Sequence, residues 1–306
     1  MTEPPASSAT EAGPRHEPFP IVPLRHWGRW VAAVAIVLIV LAVITVLGHA
    51  DIAWHDVPKF FAYSIMLEGL WHTVVLAIVA QAAGITIGLA VAIMRRSSNP
   101  VASYSAAAYI WIFRGVPVLL QLLIWYNLAL AFKVIGIPGL FSVSTNSVMS
   151  PFVAGLLGLG LNESAYMAEI IRAGFNSIDE GQIEAAHAIG MTPSRTLRRI
   201  ILPQAMRVII PPTGNDFINM LKETSLVSVI SYVELIQAAN NIASHNLEVM
   251  ETLLAAAIWY MLLVTIASIG QHYLERGLAG GAKGAGRAVP LRAARKALAA
   301  LPFAGR

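Results

Sequence analysis

Six polar side chains sit inside stretches of this sequence that are otherwise apolar. Asn162, Glu163 and Glu169 share one such stretch, and Asp216, Lys222 and Glu223 share another. A formal charge at the centre of a bilayer costs roughly 2.5–3.5 kcal/mol on insertion scales unless it faces protein or water. Each of these groups therefore needs a partner. One partner is a zwitterionic solute in a polar cavity, with carboxylates taking its ammonium and amides or backbone N–H groups its carboxylate. The other is a neighbouring helix or subunit, held by pairing between charges. Glu163 suits either role. For Asp216, Lys222 and Glu223 the presence of both signs favours pairing, although the adjacent Lys222 and Glu223 need not meet. Asp216 and Glu223 lie two turns apart.

A second chemistry-bearing segment runs from Glu184 to Ala205, reading EAAHAIGMTPSRTLRRIILPQA. Glu184 to Ile189 is a good helix former, and Gly190 suits its end because glycine takes a left-handed backbone at little cost. Thr192 and Pro193 read as N-cap and first position of a second helix, where proline loses nothing. Pro203 is expected to close that helix. The result is an L-shaped pair of short helices, with Arg195, Arg198 and Arg199 clustered on the second arm. An ordinary basic loop on the inner membrane face is the plainer alternative. The order helix, glycine, capped helix, proline favours a surface that docks a partner.

Long apolar elements must position these residues. The chain has 306 residues, 57% hydrophobic and 12% charged, with a mean hydropathy of +0.65, far from a soluble average. The sequence therefore reads as an all-α integral membrane protein with six transmembrane helices. The expected spans are Trp30–Leu47, Gly69–Met94, about Val116–Phe132, Phe152–Ile171, about Val208–Val233 and Leu253–Tyr273. An interfacial segment, Val101–Phe113, precedes the third. Each has roughly the 20 residues needed to cross a hydrocarbon core of about 30 Å. Pro211, Pro212 and Gly214 interrupt the fifth span, so that segment must face protein or a wet cavity, unless the span begins after Gly214.

The basic residues set an orientation. The N-terminal tail, the loop with Arg95, Arg96 and Arg114, the Glu184 segment and the tail with Arg276, Lys283 and Arg287 alternate with segments poorer in positive charge. Those poorer segments, around Asp51–Lys59, Val134–Ser150 and Glu234–Glu248, are expected outside, and both termini in the cytoplasm. Residues 1–27 read as a disordered tail, 28–49 as an added first helix and 277–306 as a basic tail near anionic lipid.

Glu184-Ala185-Ala186, Gly190, Ile200, Leu202 and Pro203 at this spacing resemble the EAA loop of bacterial ABC-importer permeases. Arg95-Arg96-Ser97-Ser98-Asn99-Pro100, Phe113-Arg114-Gly115-Val116-Pro117, Leu119-Leu120-Gln121 and Ala165-Tyr166 with Glu169 are similar to polar-amino-acid permeases. So are Pro211-Pro212, Gly214-Asn215, Phe217 and Leu221-Lys222-Glu223-Thr224-Ser225-Leu226. The resemblance spans about 67–276 and implies a five-helix permease core, to which Trp30–Leu47 is an addition. It also implies a bacterial plasma-membrane subunit that imports a polar amino acid. An ATPase subunit dimer would dock on the loop containing Glu184, Ala185, Ala186, Gly190, Arg198, Ile200, Leu202 and Pro203. A second permease subunit, identical or paralogous, would complete the path, and an extracytoplasmic solute-binding protein would deliver the solute.

Other motifs carry less. Gly84 and Gly88 form a small-xxx-small pair suited to close helix packing. The run Gly280-Gly281-Ala282-Lys283-Gly284 lacks the ending of a phosphate loop, and the resemblance implies that ATP hydrolysis takes place on a separate subunit. His72, His187, His245 and His272 occur singly, and there is no cysteine. No metal, cofactor or catalytic constellation is therefore expected, and the net charge of +4 is too spread out for a nucleic-acid footprint. Trp54, Trp71 and Trp111 sit near span ends, as an interfacial belt would have them. A secondary transporter of a small polar solute is the main alternative; it leaves Glu184–Ala205 without a role.

Overall fold

A computed structural model describes residues 27–137 and 141–280. The tail expected over 1–27, apart from Trp27, lies outside the described residues, as do Pro138, Gly139 and the tail beyond Gly280. The chain divides into two compact units, Met1–Ile52 and Ala53–Arg306. Within the first, α1 (Trp27–Gly48) is one unbroken apolar helix with no buried residue. It contains the apolar stretch Trp30–Leu47.

The second unit is a helical bundle with one small hairpin. Its elements are α2 (Val57–Phe61), α3 (Ser64–Arg95), α4 (Pro100–Gly115), α5 (Val118–Tyr126) and α6 (Leu128–Ala131), then strands β1 (Val134–Ile137) and β2 (Phe141–Ser144). There follow α7 (Thr145–Val148), α8 (Pro151–Asn176), α9 (Glu180–Ala188), α10 (Pro193–Thr196), α11 (Leu202–Glu223), α12 (Leu235–Asn246) and α13 (Val249–Gly280). The strands pair antiparallel, Val134 opposite Ser144 and Ile137 opposite Phe141.

Among the described residues, α1, α3 and α13 are long and apolar enough to cross a membrane. The number rises to 5 if each of two bent helix pairs forms one span. Helix α8 has the length, at 26 residues, but Asn162, Glu163 and Ser164 at its middle make it more polar than a lipid-facing span. It is instead the central helix, burying Ala154, Leu159, Ala165, Met167, Ala168 and Ile171 against α3, α5 and α11. Gly84 and Gly88 lie on the α3 face that meets α8, so the small-xxx-small reading of α3 holds.

The interfacial segment Val101–Phe113 lies within α4, and the bend that sets it off from the third span falls at the expected boundary, where α4 and α5 meet at 98°. Pro117 lacks the N–H that would continue α4, and Gln121 Nε2 donates to the freed carbonyls of Phe113 (2.9 Å) and Val116 (2.8 Å). The expected interruption of the fifth span is not found: helix α11 is unbroken through Pro211 and Pro212. Gln271 of α13 donates to the Pro211 carbonyl at 3.0 Å, so protein faces the prolines, as the sequence requires.

The segment Glu234–Glu248, to which the sequence assigned only a side of the membrane, is mostly helix. Leu235, Ala238, Ala239 and Ile242 recur at helical spacing and bury one face of α12. Glu234, with 0% of its surface exposed, caps that helix by accepting from the N–H groups of Ile236 and Gln237. Finally, α13 continues to Gly280, so residues 277–280 belong to the last helix rather than to a tail.

Candidate functional site

Two concavities hold part of the set of residues singled out by the sequence. The first lies where α8 and α11 face the α4–α5 bend. Its volume is about 430 Å³, and its walls include Arg114, Asn162, Glu163, Tyr166, Asp216, Asn219 and Glu223, with the backbone turn Gly115–Val118. Asp216, Asn219 and Glu223 recur at i, i+3 and i+7, which places them on one face of α11. Asn162 Nδ2 donates to the Phe113 carbonyl at 2.7 Å, tying α8 to the end of α4.

The electrostatics of this cavity are uneven. Three carboxylates line it against one guanidinium, Arg114, which lies over the Tyr166 ring at 4.9 Å from its centroid. Among the described residues no ion pair within the chain engages Glu163, Asp216, Lys222 or Glu223. Lys222 points away from the cavity and is exposed. Glu169 lies outside the wall, held by Arg172 one turn on at 2.5 Å. Glu163 is 6% exposed and accepts from Gln81 Nε2 at 2.8 Å. Of the six polar residues read from the sequence, four meet at one cavity and two do not.

Arg114, Tyr166 and Asn219 were not singled out as a site. Asn219 follows from helical spacing once Asp216 and Glu223 are chosen. Arg114 lies 48 residues before Asn162 in the chain, and only the bend after α4 brings it near.

The second concavity, of about 450 Å³, lies between α9 and the start of α11. It is lined by Ala185, Ala186, Ile200 and Pro203, and also by Gln182, Ile189, Arg199, Gln204 and Arg207. Ile189 is 78% exposed at its rim. Glu184, Gly190, Arg198 and Leu202 lie outside its wall. Gln204 Nε2 donates to Gln182 Oε1 at 2.6 Å and bridges the two helices.

The turn between the arms has the expected chemistry. Gly190 adopts φ +76°, its N–H bonds to the His187 carbonyl at 2.9 Å, and Met191 N–H reaches the Ala186 carbonyl at 3.0 Å. This pair of bonds is a Schellman motif, which uses the left-handed glycine to satisfy the helix end. Thr192 takes the N-cap place with Pro193 after it, but its side chain makes no capping bond.

Pro203 does not close the second arm. A π-helical turn, Leu197–Ile201, joins α10 directly to α11, and Pro203 falls in the first turn of α11. A widened turn accommodates the proline ring, which would otherwise press on the carbonyl four residues back. Helix α11 therefore begins beside the groove and ends at Glu223 on the cavity wall.

The family model described as binding-protein-dependent transport system inner membrane component matches residues 84–280. The chain is 41% identical over 271 residues to an arginine transport system permease protein, ArgU, of Corynebacterium glutamicum, covering 88% of this chain and 85% of that one. It is 42% identical over 217 residues to a probable amino-acid permease protein, YxeN, of Bacillus subtilis, covering 71% of this chain and 92% of that one. A crystal structure of an amino acid ABC transporter with histidines superposes with a TM-score of 0.65 at 36% identity, covering 74% of this chain and 99% of that chain. The inward-facing MetNI methionine transporter, at 17% identity and a TM-score of 0.54, covers 70% of this chain and 96% of that chain and shares the fold. The chain belongs to the binding-protein-dependent inner-membrane family and is an ABC transporter permease subunit.

Proposed function

We propose that this permease carries a polar amino acid into the cell, powered by ATPase subunits on separate polypeptides. The names of the two relatives support the amino-acid class, and so does the cavity. Its carboxylates, Glu163, Asp216 and Glu223, suit an ammonium, while Arg114 and the amides of Asn162 and Asn219 suit a carboxylate.

The observation that carries the reading is the run of α11 from one concavity to the other. Its 22 residues span about 33 Å at the rise of an α-helix. The ATPase dimer docks in the groove beside Ala185, Ala186 and Ile200, with Glu184 and Arg198 at its margin. ATP binding draws the two ATPase subunits together, the groove follows, and α11 shifts the cavity wall that carries Asp216 and Glu223. Access then switches between the two sides of the membrane. Glu163, on α8, stays with the more deeply packed helix.

A second permease subunit, identical or paralogous, completes the path, and an extracytoplasmic binding protein delivers the solute. Six spans follow if α8 is counted with the three long helices and the two bent pairs. Both termini then lie in the cytoplasm of a bacterial cell, with residues 67–276 as the transport core and 28–49 as an added helix. Reconstitution in proteoliposomes with the ATPase and binding protein tests the whole reading. Uptake of labelled amino acid is expected to require ATP and the binding protein together. Uptake driven by an ion gradient without ATP would overturn it in favour of a secondary transporter.

A further inference from the structure

Gln81 lies on α3, outside the cavity, and is 5% exposed. Its amide Nε2 donates to Glu163 Oε1 at 2.8 Å and touches the Met167 sulfur at 3.7 Å. Its own Oε1 has no partner. A buried amide with an unpaired carbonyl is a poor choice for packing, because an apolar side chain of similar shape avoids the desolvation. What the amide does accomplish is a hydrogen bond to a carboxylate that has no ion pair among the described residues.

Glu163 is confined from the same helix. A Cβ built on Gly84 would stand 2.5 Å from Glu163 Cγ and 2.9 Å from its Cβ. Gly84 therefore admits the stem of Glu163 against α3, and Gln81, one turn earlier, holds one oxygen of its head. The cavity lies on the other side of that head, where Asp216 and Glu223 add like charge from α11.

We propose that Gln81 is a positioning residue that fixes the Glu163 carboxylate at the cavity wall and so sets affinity for a cationic side chain on the solute, the α-ammonium being left to Asp216 and Glu223. This inference rests on the proposed role of the cavity in solute recognition. Without the amide bond the carboxylate is free to turn from the cavity or to be neutralised. A solute that presents its positive charge there loses affinity, and a neutral isostere does not.

The test compares uptake of L-arginine and its neutral isostere L-citrulline by the complete reconstituted transporter. Gln81→Met keeps the volume and removes the donor, and Gln81→Asn keeps an amide but falls a methylene short of Glu163. For both variants the expected result is a roughly tenfold rise in the KM for arginine, with the citrulline KM and the complex yield unchanged. Glu163→Gln is expected to raise the arginine KM likewise, and Gln81→Met added to it is expected to do nothing further. Additive effects, or an unchanged arginine KM in Gln81→Met beside a raised one in Glu163→Gln, would overturn the positioning role and leave the cavity reading standing. An unchanged KM in Glu163→Gln would overturn both. Failure of both Gln81 variants to assemble would make Gln81 a folding residue and end the proposal.

Discussion

Gly84 of α3 lies directly against Glu163 of α8, with no room between them for even a methyl group. The close approach of the two helices and the placement of the buried carboxylate are thus one feature. Gly88, one turn on, meets Met167 and Ser164 in the same way. A pair of glycines that reads as ordinary membrane-helix packing turns out to form part of the seat of a cavity residue.

Substitution at Gly84 is expected to affect stability and transport together. Gly84→Ala forces either α3 away from α8 or Glu163 out of its place, an overpacking cost of about 1–3 kcal/mol. Thermal unfolding of the purified protein and uptake in vesicles measure the two. Wild-type values for both would show that the helices separate freely here.

For Glu163, charge and shape can be separated. Glu163→Gln retains the size and a hydrogen-bonding head while removing the charge, so the bundle is expected to assemble. Apparent affinity for the transported amino acid should fall about tenfold, the worth of one charge-assisted hydrogen bond. An assembly defect with unaltered affinity in the complexes that form would rule out Glu163 as a ligand.

At Gly190 the backbone, not packing, forbids a side chain. A Cβ there would meet nothing within 4 Å, but φ is +76°. Gly190→Val is expected to cost about 1–2 kcal/mol locally and to undo the turn between the docking arms. Solute-stimulated ATP hydrolysis and transport should fall together while membrane insertion survives, and Gly190→Asn should restore much of both, since asparagine tolerates this conformation. Unchanged stimulation in Gly190→Val, in an intact complex, would remove the turn from the coupling route.

Tyr260 and Glu234 supply a prediction about the fold alone. The Tyr260 hydroxyl donates to Glu234 Oε2 at 2.7 Å, tying α13 to the cap of α12. Tyr260→Phe leaves that oxygen one donor short in a buried site, and a loss of about 1–3 kcal/mol is expected. Chemical denaturation of the solubilised protein would show it as a lower midpoint. An unchanged midpoint would mean that the cap does not depend on this bond.

How legible all this was in the sequence depends on how local each feature is. The long apolar helices α1, α3 and α13 follow from composition, because twenty apolar residues have few other options. Gly190 and its left-handed turn follow from helix-end chemistry that acts within six residues. The course of the chain at prolines did not follow. Pro203 reads as a stop, yet a π-turn absorbs it, and Pro211 and Pro212 read as a break, yet Gln271, sixty residues away, meets the carbonyl beside them. A proline's effect is decided by whatever satisfies its surroundings, and that partner is set by tertiary packing.

The cavity divides in the same way. The sequence by itself determined that Glu163, Asp216 and Glu223 are charges in an apolar setting and need compensation, since the energy of such a charge does not depend on fold. It also fixed the family, through motifs whose order runs along most of the chain. Only the tertiary structure decided which charges share a wall. Glu169 is claimed by Arg172 within its own helix, and Lys222 turns outward because it sits one residue off the face that carries Asp216 and Glu223. Arg114 and Gln81 enter through a bend and a helix contact, across 49 and 82 residues of sequence from Glu163. Contacts at that range form only when the helices have packed, and no local pattern encodes them.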